Sequence, residues 1–151
     1  MSSRHTGVKP VTISLRHETL SWVDSRSEAF RGRTARIEMD LGRYRQILQE
    51  AGVELQGLFS RVEMLCLLDA VATDPVPAAV PIRDGLALRV FQPGRHGADV
   101  DEVSGVDRFA LSERIHGLSL AQAYALLERC EQAILARALA QAGEGVFAEF
   151  C

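Results

Sequence analysis

The chain has 151 residues, 47% of them hydrophobic and 25% charged, a composition that fits a folded globular protein and excludes a wholly disordered one. No apolar run approaches the roughly 18 residues of a membrane helix, and Met1 to Lys9 is polar with no signal-peptide core behind it, so no membrane partner is expected and the cytoplasm is the expected compartment. The net charge of -3 conceals an asymmetry: residues 1 to 46 carry nine Lys or Arg against five acids, a net of +4, and the remainder eight against fifteen, a net of -7, as in a basic contact surface joined to an acidic body.

In chain order, residues 1 to 9 show no periodicity and read as a flexible arm, after which Pro10 biases Lys9 toward extended backbone. Val11, Thr12, Ile13, Ser14, Leu15 and Arg16 alternate apolar and polar strictly, the pattern of a half-buried strand. No hairpin turn follows, so the simplest partner for its backbone edges is the same strand of a second copy. From Glu18, the positions Leu20, Val23, Ser27 and Phe30 share one face of a helix A over about 18 to 30. Gly32 supplies a turn, Thr34 reads as an N-cap, and Ile37, Leu41, Tyr44 and Leu48 form the stripe of a helix B over about 35 to 49.

Beyond Gly57, Ser60-Arg61-Val62-Glu63 has capping-box spacing and opens a helix over about 61 to 72, which Pro75, Pro77 and Pro81 end. Leu86 to Phe91 reads as a short strand and Gln92 to Gly105 as an acidic, glycine-containing loop. A short helix starts over Ser112 to His116. Ser119-Leu120-Ala121-Gln122, a second capping box, opens a long helix over about 120 to 142 that stops before Gly143 and Gly145.

A lone alternating strand, an amphipathic helix, a glycine turn and a second amphipathic helix within about 40 residues resemble the ribbon-helix-helix family of Arc-type repressors. The resemblance covers the N-terminal third. It implies a ribbon-helix-helix dimer module over residues 10–50 with an N-terminal β-ribbon strand; with the patterning of 51–151, which reads as an α-rich accessory domain with one short strand, the expected fold is mostly α. The resemblance also implies a sequence-specific DNA-binding protein, a transcriptional regulator of the repressor kind, with double-stranded DNA and a second copy of the chain as partners. Two strands would pair into a ribbon in the major groove. Thr12, Ser14 and Arg16 would read base edges, Arg16 by two hydrogen bonds to guanine O6 and N7. Gly32, Arg33, Thr34 and Arg36 would meet a phosphate at the start of helix B. Val11, Ile13, Leu15, Leu20, Val23, Ile37, Leu41 and Tyr44 would form the dimer core, with Trp22 at that core or its rim. The family often has a proline near the start of helix A, where this chain has His17-Glu18-Thr19. Ser25-Arg26-Ser27-Glu28 also matches the family's second-helix opening, but Gly32 and the run Asp40 to Tyr44 favour the later register.

No enzymatic activity is expected, because the chain has no nucleophile elbow, phosphate loop or dinucleotide fingerprint. No cofactor and no metal are expected either. His5, His17, His96 and His116 are scattered without ligand spacing, and the three cysteines include no C-x-x-C pair. The alternative reading is an assembly or interaction protein that uses its N-terminal fold only to dimerise, with a protein partner, a toxin among them, taken through the C-terminal domain.

Overall fold

A computed structural model describes residues 10–27, 32–91 and 105–149 of the chain. Six helices carry its regular structure: α1 His17–Ser27, α2 Arg33–Glu54, α3 Arg61–Thr73, α4 Ile82–Arg89, α5 Arg108–His116 and α6 Leu120–Glu149. The chain divides into two compact units, Met1–Tyr44 and Arg45–Cys151.

The expected β-ribbon strand is not formed: among the described residues there is no strand, and residues 10–16 carry no regular structure. The alternation of Val11 to Arg16 selects two faces but supplies no hydrogen bonds, and an isolated strand has no neighbour to satisfy its backbone N–H and C=O groups. Val11 and Ile13 accordingly lie 77% and 56% exposed, and Leu15 is exposed as well. The second expected strand, Leu86 to Phe91, is also helix, as α4 takes in all of it up to Arg89. The buried positions are Ile82, Gly85, Leu86, Ala87 and Arg89, and three of them are consecutive, which fits a broad helical face and not an alternating strand. Pro81, with φ -54°, sits immediately before the helix, where its fixed dihedral suits a helix start. The fold is therefore all-helical across the described residues, in place of a ribbon-helix-helix dimer module with an additional strand.

The first unit holds α1 and the opening of α2. Gly32, at φ +104°, makes the turn between them in the left-handed region that a Cβ disfavours, and its N–H donates to the Ser27 carbonyl at 3.4 Å. α2 begins at Arg33, so Thr34 lies within the first turn and is not its cap. Phe30, assigned to the stripe of helix A, lies outside the described residues, as do the arm of residues 1–9 and most of the acidic loop.

The second unit is built around one apolar core. Gly57, at φ +78°, turns the chain after α2. Ser60 then caps α3 through the expected box: its hydroxyl accepts from the Glu63 N–H at 3.2 Å and the Glu63 carboxylate accepts from the Ser60 N–H at 2.8 Å. The second box forms likewise, between Ser119 and Gln122, and starts α6. α4 packs on α3, α5 and α6, and α3 packs on α6. Leu67, Val71, Leu86, Val90, Leu111, Ile115, Leu126 and Cys130 are its largest enclosed side chains. α6 continues through Gly143 and Gly145 to Glu149, since a glycine costs a helix only about 1 kcal/mol relative to alanine and stops it only where a left-handed residue is required.

The proline segment before α4 is held by Arg89, which is only 5% exposed. Its guanidinium donates to the Asp74 and Pro75 carbonyls of the segment before α4 and to the Gly85 carbonyl within α4, and its charge is paired with the Asp74 carboxylate at 3.2 Å. No described helix is long and apolar enough to cross a membrane.

Candidate functional site

The base-reading candidates Thr12, Ser14 and Arg16 are all exposed on the irregular segment that leads into α1. Arg16 makes no side-chain hydrogen bond or ion pair among the described residues, and its carbonyl accepts from the Leu20 N–H to begin the helix. A guanidinium in that condition keeps its full set of N–H donors for an incoming acceptor.

The phosphate candidates divide into two kinds. Gly32, Arg33 and Thr34 are exposed at the start of α2, whose first turn contains no acidic residue, so no carboxylate of its own occupies the positive end of the helix. The Arg33 side chain reaches back to α1 and donates to both Asp24 oxygens at 2.7 and 2.8 Å. That bidentate pairing holds the Asp24 carboxyl below its usual range and raises Arg33. Arg36 is different, because only 3% of it is exposed, and it donates to the two Asp40 oxygens at 3.1 and 2.6 Å. It is placed to hold α2 and not to reach a ligand.

Asp40 is a hub that sequence reasoning did not find. Arg26 donates to it from α1 at 3.3 and 3.4 Å, Arg36 from one turn back, and Arg43 stands 3.9 Å away. The Arg26 guanidinium also lies 4.2 Å from the centroid of the Trp22 ring, a cation–π contact on an exposed indole. The Arg36–Asp40 and Asp40–Arg43 pairs have the i,i+4 and i,i+3 spacing that marks helical ion pairs and were open to detection. Arg26, fourteen positions from Asp40, carries no such signal.

The dimer-core candidates are likewise not all brought together. Val23 is buried and Leu20 and Ile37 are half-buried, whereas Val11, Ile13, Leu15, Leu41 and Tyr44 remain exposed. Exposed Trp22 extends that set, so the first unit displays six large apolar side chains to solvent.

The two cysteines described in the second unit, Cys66 and Cys130, are both buried. Burial raises the Cys66 thiol and pushes the Cys130 thiol up to about 12, which disfavours the nucleophilic thiolate at each. Among the described residues no group of three His, Cys, Asp or Glu side chains is placed to hold a metal ion. Comparison with known proteins finds no matching family model, no matching curated protein and no matching solved structure.

Proposed function

We propose that this chain is a sequence-specific DNA-binding protein, a transcriptional regulator that acts as a homodimer or a higher homo-oligomer. The observation that carries the reading is the exposed segment of residues 10–16, whose three polar side chains Thr12, Ser14 and Arg16 stand in solvent beside a unit of net positive charge. Arg16 has the donor geometry for guanine, and Thr12 combines a hydroxyl with a methyl group suited to thymine. Arg33 and the exposed start of α2 supply the phosphate contact, with Arg36 and Asp40 holding the helix behind them. Two copies double the charge of the basic third, and electrostatic attraction to phosphates then drives binding despite the acidic remainder.

The test is a band shift on the DNA upstream of the chain's own gene, with competitor DNA and a salt series. Arg16→Ala and Thr12→Ala are expected to reduce discrimination between specific and competitor DNA, by about 1 to 3 kcal/mol for a lost bidentate base contact. Unchanged sequence preference in both variants would overturn the assignment of this segment as the reader.

A second reading, in which the first unit only joins protomers or takes a protein partner, is favoured by the apolar side chains it leaves in solvent, Leu41 at 61% and Trp22 at 54% among them. It predicts a dimer by sedimentation that retains no DNA even at about 50 mM salt, where phosphate attraction is strong.

A further inference from the structure

The second unit contains a cavity of about 440 Å³ between the proline segment before α4, the end of α5 and the start of α6. Its size is within the range of about 300–1,000 Å³ typical of small-molecule sites. One part of its wall is apolar: Val80, Leu120 and Tyr124, which are 39%, 56% and 40% exposed. The other part is polar and carries both signs of charge, Arg83 and Asp84 on consecutive positions of α4, with His116 of α5 beside Asp84. The His116 Nδ1 atom lies 3.5 Å from an Asp84 carboxylate oxygen. One Arg83 nitrogen donates to the Leu118 carbonyl at 3.2 Å, which anchors the guanidinium at the cavity wall while other N–H groups of the fork remain to be used.

This lining is selective by charge. A simple anion drawn to Arg83 meets a lining that also holds the Asp84 carboxylate, and a simple cation drawn to Asp84 meets one that also holds Arg83. A molecule that carries an ammonium and a carboxylate a few bonds apart satisfies both at once, and an apolar substituent on it covers side chains that the protein leaves in water. We infer that this cavity binds a free zwitterionic amino acid with an apolar side chain, its carboxylate toward Arg83, its ammonium toward Asp84 and its side chain against Leu120, Tyr124 and Val80. The site lies wholly within the second unit and does not depend on the DNA-binding reading.

The test is a titration of the full-length, isotopically labelled protein, following the amide shifts of residues 78–84 and 116–124. Four probes are compared: L-leucine, leucinamide, N-acetyl-leucine and glycine. Leucine is expected to give saturable shifts confined to these residues. Leucinamide lacks the carboxylate and N-acetyl-leucine the ammonium, and each is expected to bind at least about tenfold more weakly, the loss associated with one charged hydrogen bond. Glycine, without an apolar side chain, is expected to bind more weakly than leucine. Asp84→Asn changes an exposed side chain and is expected to weaken leucine by a similar factor, and Leu120→Ser to weaken it independently of charge. The inference is overturned if leucine produces no saturable shift up to about 10 mM, well above the weakest affinity of interest. It is equally overturned if either blocked derivative binds as well as leucine, or if both substitutions leave leucine affinity unchanged.

Discussion

Two arginines three positions apart, Arg33 and Arg36, each bond a carboxylate with both oxygens, yet burial gives them opposite roles. The Arg33–Asp24 pair is about half exposed, so water screens it and the side chain can exchange its partner for another anion. Arg36 is enclosed, and its removal leaves Asp40 with Arg26 at the longer distances of 3.3 and 3.4 Å and Arg43 at 3.9 Å. Asp40 is 23% exposed, so the pair is partly buried, and deleting the arginine costs about 1.5 to 3 kcal/mol, the range for hydrogen bonds to a charged group. Arg36→Ala is therefore expected to shift the urea midpoint strongly downward, and Arg33→Ala to leave it within error while lowering the salt dependence of any DNA binding. Both arginines were legible as basic residues near the start of a helix. Which of them is buried was not, because it depends on where α1 lies against α2, and no spacing within α2 encodes that.

At the scale of elements, the two capping boxes were readable from four residues each because the bonds are local: hydroxyl to N–H and side chain back to N–H, within one turn. The first has a long-range extension, in which Arg114 of α5 donates to the Glu63 carboxylate and to the Leu58 carbonyl. Burial pushes the Glu63 carboxyl up, but the bonds from Ser60 and Arg114 outweigh it and hold the group below its ordinary value. A carboxylate depressed in the folded state contributes stability that is present above its unfolded value near about 4.3 and is lost as the pH falls through the folded value. Glu63→Gln is expected to flatten that acid limb of the stability profile, and Ser60→Ala to cost about 1 kcal/mol at neutral pH, both read by chemical denaturation across a pH series. α4 shows the opposite case. Leu86-Ala87-Leu88-Arg89-Val90 is too short to distinguish strand from helix by its own pattern. Only the surroundings decide it: α3, α5 and α6 enclose one helical face while Leu88 remains 64% exposed.

At the scale of the whole molecule, apolar burial is uneven. The continuous core runs from Ala51 and Leu55 through α3, α4 and α5 to Cys130, all within Arg45–Cys151, whereas Val23 is the one fully buried hydrophobic side chain described in the first unit. Hydrogen exchange should therefore show the slowest amides in α3, α5 and the first part of α6, with α1 exchanging far faster in the isolated chain; equal protection in α1 would show that its exposed apolar residues are already covered by a second copy. The sequence by itself determined what is local: the places where α1, α3 and α6 begin, the two caps, the turn at Gly32 and the charge asymmetry between the ends. Only the tertiary structure decided that residues 10–16 form no strand, that residues 86–89 are helical, that Asp40 gathers three arginines, and that Arg83, Asp84 and His116 line one cavity. The division has one physical cause. Caps and helix faces are satisfied within a few residues, while a strand, a buried ion pair and a cavity wall each require partners that the chain supplies from elsewhere, or does not supply at all.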